Sequence, residues 1–371
     1  MRSASVSSIL VFALGLTLLP AFAIAQLPAP PANTLPAPPK STLPAARNDA
    51  LSSEDSSADE QEESVSAKQL REHVADLLHR GDFAEIDRIA DRIHQEKTRL
   101  PGGGWLISAV TQGLETPKDS TKEKQVVRLK AWVAARPLSI TAHAALAKAY
   151  IAYAWEARGN GYADKVTDEG WRLFNERIAE AKKVLDDSAN MKPMCPEWFS
   201  RMQTVALAQD WEKERTAALF AQAIKFEPDY ISFYKSYAQY LLPKWDGEDG
   251  DDAAFAKQSA DAIGGQKGDY VYYEIATVAL QAKSGRDGAK FDWVRVQSGY
   301  RAKDALYKTS NSDTNELAFM AWRFQDRSVA REAFLRIGER WTKGIWNKRT
   351  RFDQVRDWAN KPDAATTAAL Q

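Results

Sequence analysis

From residue 67 onward, apolar residues recur at spacings of three and four, which is the pattern of the buried stripe of an α-helix. The first such stripe consists of Leu70, Val74, Leu77 and Leu78. Residues 80–82 interrupt it, and a second stripe follows at once. No stretch alternates apolar and polar residues as a half-buried strand does. The pattern predicts an all-α domain over residues 67–360, with about 14 helices in antiparallel pairs.

The helix pairs also have the spacing of degenerate repeats. In a pair of the tetratricopeptide type, small residues stand where the helices approach and an aromatic ring fills the gap between them. Leu317 and Ala318 fit the first helix of such a pair, and Ala330 and Phe334 fit the second. Partial matches occur at Leu146, Ala147, Tyr150, Phe220, Ala223, Pro228, Tyr234 and Ala238. We therefore expect a superhelical stack, a degenerate tetratricopeptide-like α-solenoid, whose concave surface is where partners usually dock.

Capping residues support this division into helices. Ser120 and Glu123 have the spacing of a capping box ahead of a helix that reaches Ala135. Ser139 and Thr167 each place a hydroxyl directly before a later helix. These three positions predict three helix starts.

The first 66 residues differ from the helical domain. Residues 1–25 contain the basic Arg2, an apolar stretch too short for a membrane span, and the small residues Ala23 and Ala25 around Ile24, as in a secretory signal peptide. Residues 26–66 are Pro-rich and then acidic, with two basic and seven acidic side chains, which predicts a disordered linker. A disordered tail is expected over residues 361–371. We expect a periplasmic or secreted protein, with a membrane anchor only if the signal segment is not cleaved.

Composition excludes several classes of protein. The chain carries 50 basic and 50 acidic residues, and its mean hydropathy of −0.47 excludes a polytopic membrane protein. This balance gives no electrostatic footprint for nucleic acid. The only cysteine, Cys195, excludes an intrachain disulfide, and the four histidines form no metal-binding pattern. No motif predicts a cofactor, a metal or a catalytic residue.

Four strings in the body of the chain carry a family resemblance. They are Ala-Arg-Pro at 135–137 with Ser139, Tyr-Ala-Trp-Glu-Ala-Arg-Gly-Asn-Gly-Tyr-Ala at 153–163, Gly-Trp-Arg-Leu-Phe at 170–174 and Tyr-Leu-Leu-Pro-Lys-Trp at 240–245. Through them the chain resembles a bacterial family, the domain of unknown function 4034 (DUF4034), over about residues 70–358. The resemblance implies a helical-repeat-like fold in a bacterial, often exported protein, and implies no activity.

One segment combines aromatic, cationic and amide side chains in a way that suits ligand binding. The candidate ligand-binding residues are Trp155, Arg158, Asn160, Tyr162, Trp171 and Trp245. An aromatic wall with Arg and Asn donors is able to bind a sugar, a carboxylate or a peptide terminus. The alternative is a loop between repeats, pinned by Tyr162 and Arg158.

These patterns favour a non-enzymatic scaffold in the cell envelope that binds a protein or peptide on its concave face. Two other functions stay open. One is a glycan-acting enzyme in which the aromatic residues stack on sugars and an unplaced pair of carboxylates does the chemistry. The other is a protein that binds a small sugar or carboxylate ligand through residues 155–171. Neither the repeats nor the motifs specify a partner or an oligomeric state.

Overall fold

The computed structural model describes residues 65–115, 117, 120–159, 165–282 and 290–361. Within these ranges the chain forms sixteen α-helices and no β-strand, which confirms the all-α prediction with two helices more than expected. None of these helices is both long and apolar enough to cross a bilayer. The signal peptide, all of the linker except residues 65–66 and all of the tail except residue 361 lie outside the described residues.

The helices are α1 (Val65–Arg80), α2 (Phe83–Glu96), α3 (Ile107–Gly113), α4 (Lys122–Ala135), α5 (Ile140–Arg158), α6 (Asp168–Ser188), α7 (Pro196–Ala208), α8 (Lys213–Phe226), α9 (Ile231–Tyr240), α10 (Asp251–Ile263), α11 (Gly265–Ala282), α12 (Trp293–Tyr307), α13 (Asn311–Arg323), α14 (Arg327–Ile337), α15 (Lys343–Trp346) and α16 (Arg349–Asn360).

From α5 onward the helices alternate between two positions. α5, α7, α9, α11, α13 and α15 each pack on the helix that follows, which gives six pairs from α5–α6 to α15–α16. Each of these first helices also packs on the next first helix, so the six form a continuous row, which we call the first-helix row. This arrangement confirms a stack of helix pairs. The superhelical turn of an α-solenoid stays a prediction.

The small and aromatic residues of the repeat pattern lie buried between helices. Leu317 and Ala318 on α13 pack in the core with Ala330 and Phe334 on α14, as the spacing predicts. The helices also approach closely at Gly299, a position that the repeat pattern did not mark. A Cβ on Gly299 of α12 would lie 2.2 Å from the backbone oxygen of Asp269 on α11, so only glycine permits this approach.

Two of the three predicted N-caps are confirmed, and the third lies one residue later than predicted. The Ser139 hydroxyl accepts a hydrogen bond from the Ala142 amide at 3.0 Å, and the Thr167 hydroxyl accepts one from the Gly170 amide at 3.0 Å. Ser120 was expected to cap α4, but the N-cap is Thr121, whose hydroxyl accepts from the Lys124 amide. Both residues carry a hydroxyl, so the sequence pattern alone could not distinguish them.

The loop between α2 and α3 ties the start of the domain to its second half. We call residues 97–106 the crossing loop. Arg99 Nη2 donates to the Asp229 backbone oxygen before α9 at 3.0 Å, and the Gly102 amide donates to the Lys308 backbone oxygen after α12 at 2.9 Å. A Cβ on Gly103 would lie 2.7 Å from Cδ2 of Tyr307. The glycines therefore allow the crossing loop to lie against α12.

Candidate functional site

Three of the six predicted ligand-binding residues come together where α5 ends and α6 begins. The Arg158 guanidinium lies between two rings, 5.4 Å from the centroid of Trp155 and 5.2 Å from that of Trp171. Phe174 meets Trp155 edge-on at 4.9 Å. Arg158 and Trp155 are only 4% and 7% exposed, so the cluster forms an interhelical contact. Trp171 is partly exposed, and Tyr162, the other residue of the pinned-loop alternative, lies outside the described residues, so both the ligand site and the pinned loop stay predictions.

The other three predicted residues do not join this cluster. Asn160 and Tyr162 lie outside the described residues. Trp245 follows α9 and packs partly buried against the core, with its indole N–H buried and without an acceptor in the described chain. It makes no ring contact with Trp155 or Trp171 among the described residues. The prediction that all six residues form one site is therefore untested for Asn160 and Tyr162. For Trp245, no ring contact in the described residues supports it.

A charged network, which the sequence analysis did not find, links α9, α11, α12 and α13. Glu274 of α11 accepts from Lys235 Nζ of α9 at 2.9 Å and from Lys303 Nζ of α12 at 2.5 Å. Lys303 Nζ also lies 2.5 Å from Asp313 Oδ1 of α13. Glu316, one turn further along α13, accepts from Gln281 Nε2 at 3.1 Å. We call Lys235, Glu274, Lys303, Asp313 and Glu316 the charged network.

The charged network keeps its buried groups ionised by pairing them. Burial opposes the charge of Glu274, but the ammonium groups of Lys235 and Lys303 outweigh it and lower the pKa to about 2. Burial likewise opposes the charge of Lys303, yet Glu274 and Asp313 raise its pKa. Glu316 is the exception: burial raises its pKa to about 7, although Lys235 and Lys303 act in the opposite direction. The network therefore contains one carboxyl group that titrates near neutral pH.

A second group of charged residues lies at α5 and α7, the first two helices of the first-helix row. Lys148 Nζ of α5 lies 2.5 Å from Glu115 Oε1, and its side chain is 22% exposed. Desolvation lowers the pKa of Lys148 to about 8; the charges of Arg201 on α7 and Lys122 at the start of α4 add to this effect, against Glu115. We call Lys122, Lys148 and Arg201 the basic cluster. The charges of Lys122 and Arg201 both act on Lys148, and Glu115 is the carboxylate that Lys148 binds.

The first-helix row presents polar groups along its accessible side. α7, for example, packs on four helices, α5, α6, α8 and α9. Its partly exposed positions include the polar residues Arg201 and Thr204. On α9 the partly exposed polar residues are Ser232, Lys235, Ser236 and Gln239, which follow helical spacing. The other first helices contribute Lys148, Gln281 and Glu316. We call the five residues Lys148, Arg201, Lys235, Gln281 and Glu316 the polar face.

The sole cysteine and its neighbours form a structural contact. Cys195 is buried at the N-cap of α7, and burial raises the pKa of its thiol well above the usual value, so the thiolate nucleophile is absent at neutral pH. Nearby, the His94 ring lies 2.7 Å from Glu197, and Tyr230 donates to the same carboxylate at 2.9 Å. These bonds tie α2 to α7 and to the residue before α9. In the described part of the chain, no group of His, Cys, Asp and Glu is placed to hold a metal ion.

Comparison with known proteins gives one result. No curated protein and no solved structure matches the chain. A family model does match, from residue 70 within α1 to residue 189, directly after α6. This segment contains Lys148 and the Trp155 cluster, whereas Arg201 and the charged network follow it. The resemblance drawn from the sequence is thus confirmed for one segment: residues 70–189 are a match to the domain of unknown function DUF4034.

Proposed function

We propose that the protein is an exported, non-enzymatic scaffold of the cell envelope that holds a protein or peptide against the polar face. The observation that carries the proposal is that five successive first helices, α5 to α13, each contribute an accessible polar side chain to one row. In stacked helix pairs, partners usually bind along such a shared surface. Export is supported by the order of charged, apolar and small residues in positions 1–25.

The polar face is suited to selective binding because its charges are already in position. Lys235 is paired with Glu274, and Gln281 with Glu316, so little conformational entropy remains to be lost when a partner arrives. The polar face carries basic groups on α5, α7 and α9 (Lys148, Arg201 and Lys235) and, on α13, the carboxyl group of Glu316, whose pKa is about 7. Complementary charge of this kind gives specificity and orientation to a bound peptide.

The binding proposal is tested by placing a photo-crosslinking amino acid at Gln239 on α9, which lies beside the polar face. The matched control places it at Leu335 on the second helix α14, which is 80% exposed. We expect a discrete adduct with another protein from position 239 in the producing cells and none from position 335. No adduct at 239, or the same adducts from both positions, would contradict the proposal. N-terminal sequencing of the envelope fraction tests export, with Gln26 as the expected first residue.

A second candidate function, glycan cleavage, is favoured by one observation. Glu316 has a pKa of about 7 beside the ionised Glu274, and carboxyl groups with separated pKa values are typical of acid–base catalysis. Against it, Glu274 and Asp313 are 3% and 6% exposed and both bind Lys303, so neither carboxylate is open to a sugar from the surface. Hydrolysis of cell-wall glycan by the wild type that is lost in Glu316→Gln would establish the enzyme and displace the scaffold.

A further inference from the structure

The crossing loop forms a small hairpin whose base is fixed. Arg99 and Trp105 pair there as an isolated antiparallel bridge. Both side chains hold the backbone oxygen of Asp229 before α9, to which Arg99 Nη2 donates at 3.0 Å and Trp105 Nε1 at 3.4 Å. Trp105 is 4% exposed and meets the Tyr230 ring edge-on at 5.2 Å. The base of the hairpin is therefore anchored at the start of α9.

The tip of the hairpin, residues 100–104, is held less firmly than its base. Inside the tip, the Leu100 amide donates to the Gly104 backbone oxygen at 2.7 Å. Among the described residues, the backbone hydrogen bonds from the tip to the end of α12 come from one amide, that of Gly102, which lies 2.9 Å from the Lys308 oxygen. The tip thus reaches from α9 to α12, and its release breaks the bonds of a single amide.

A buried hydroxyl group lies under the tip without a partner. Tyr270 of α11 is 4% exposed, and its Oη has no hydrogen-bond partner among the described residues. A Cβ on Gly103 would lie 2.9 Å from this oxygen, so the tip rests directly against it. A buried polar group without a partner raises the free energy of the closed arrangement, whereas water would satisfy the hydroxyl once the tip lifts. The hydroxyl of Tyr270 therefore favours opening.

The surface under the tip continues into the polar face. A Cβ on Gly102 would lie 3.4 Å from Oδ2 of Asp313, so the tip also lies against α13. One helical turn further along, Glu274 follows Tyr270 on α11 and Glu316 follows Asp313 on α13. Because Glu316 belongs to the polar face, the closed tip covers the edge of that face near the starts of α11 and α13.

We propose that the tip of the crossing loop is a lid, which lifts about its base and lets the partner peptide extend from the polar face to Tyr270. This inference rests on the proposed scaffold function and adds to it a regulation of the same surface. The three successive glycines 102–104 give the tip the backbone freedom to move. A peptide that binds the open arrangement better than the closed one shifts the population toward it.

Two variants and two measurements test the lid in the full-length protein. Hydrogen exchange of residues 97–106, followed by mass spectrometry, measures the lifting of the tip. The yield of the adduct from position 239 measures access of the partner. Tyr270→Phe removes the unpaired hydroxyl and should favour the closed tip. Gly103→Ala brings a Cβ to 2.7 Å from Cδ2 of Tyr307 and should favour the open one.

The matched control is Tyr272→Phe. Tyr272 lies on the same helix and is 3% exposed, but its hydroxyl accepts a hydrogen bond from the Asp292 amide at 2.8 Å. Loss of this satisfied hydroxyl should lower the stability of the whole protein. It should leave the exchange of the tip and the adduct yield as in the wild type.

We expect the tip of the wild type to exchange faster than α11, because it opens without unfolding of the domain. In Tyr270→Phe the exchange should slow by about fivefold to tenfold, and the adduct yield should fall with the open fraction. In Gly103→Ala both should rise. A tip that exchanges no faster than α11 would overturn the lid, and so would an unchanged adduct yield in Tyr270→Phe.

The lid and the scaffold function fail in different ways. If position 239 gives the same adduct yield in the wild type, in Tyr270→Phe and in Gly103→Ala, the scaffold function stands and the lid falls. If none of the three gives an adduct, the scaffold function falls and the gating role falls with it, whatever the exchange rates are.

Discussion

The charged network and the basic cluster use the same residue types in opposite ways. In the network, Lys303 lies between Glu274 and Asp313, and the pairing raises its pKa despite burial. In the cluster, desolvation lowers the pKa of Lys148 to about 8, and the charges of Arg201 and Lys122 add to this effect against Glu115. The difference teaches which charges the fold needs. Charges that are fully paired inside the protein hold helices together, whereas charges left short of partners are available to a ligand.

The largest expected effect comes from breaking the charged network. Lys303→Met leaves Glu274 and Asp313 buried next to each other without their shared cation, and we expect it to lower the free energy of unfolding by about 3–5 kcal/mol. Urea denaturation followed by circular dichroism measures this. The control, Lys257→Met, removes a lysine that is 72% exposed and paired with Asp261 on the same helix, and we expect no measurable change. Equal stability of the two variants would show that the network is not a structural element.

Replacing the buried Arg158, which lies between two aromatic rings, should have an intermediate effect on stability. Arg158→Ala removes the guanidinium between Trp155 and Trp171 and leaves a gap where α5 meets α6, so we expect a loss of about 2 kcal/mol in the free energy of unfolding. Crosslinking to the partner from position 239 should be unchanged, because Arg158 belongs to the interhelical contact and not to the polar face. Calorimetric unfolding and the crosslinking yield measure the two effects. Lost crosslinking with unchanged stability would move the partner site to the predicted aromatic segment.

The pH dependence of stability separates the two glutamates of the network. Between pH 4.5 and about 7 an unfolded Glu316 is ionised while the folded one is still protonated. The folded state then binds more protons, so stability falls as pH rises through this window, by about 3 kcal/mol. Glu274 has the opposite sign: its contribution is fully present above pH 4.5 and is lost as pH falls toward 2.

Glu316→Gln should remove the decline between pH 4.5 and 7 and leave the decline below pH 4.5 unchanged. Urea denaturation at half-unit pH intervals measures both. If the variant keeps the full slope between pH 4.5 and 7, another group is responsible for it.

The smallest expected effect is at Arg201. Because this guanidinium has no partner in the described structure and repels Lys148, Arg201→Gln should change the free energy of unfolding by less than about 1 kcal/mol, or increase it slightly. Urea denaturation under the conditions used for Lys303→Met gives the direct comparison. A loss as large as that of Lys303→Met would mean that Arg201, too, holds the fold together.

The sequence predicted the helices well because their signal is local. Apolar spacing of three and four marks the buried sides of α1 and α2, and the repeat positions Ala318, Ala330 and Phe334 are buried where the spacing places them. The hydroxyl groups of Ser139 and Thr167 cap the helices that follow them. The repeat spacing predicted that the helix pairs stack, which the first-helix row confirms. A local pattern cannot place a loop against a distant helix, and for this reason the crossing loop was not foreseen.

The charged network and the basic cluster escaped prediction because their members are far apart in sequence. Lys235 and Glu274 come from α9 and α11, and Lys148 and Arg201 from α5 and α7. A weak signal was present: Glu274 follows Tyr-Val-Tyr-Tyr and precedes Ile-Ala, and Lys148 lies in an Ala-rich run. A charged residue within an apolar helix is rarely buried without a partner, and this marks such positions without naming the partner. The segment around Trp155 was predicted as a ligand site instead, because its aromatic and polar residues lie close together in the sequence.

The central claim is that a partner lies on the first-helix row and not on the second helices. Lysine labelling read by mass spectrometry, with and without the partner captured at position 239, tests it directly. We predict that Lys148 and Lys235 become protected when the partner is bound, while Lys183 on α6 and Lys257 on α10 are labelled as before. Protection of Lys183 and Lys257 with Lys148 and Lys235 unchanged would contradict the account.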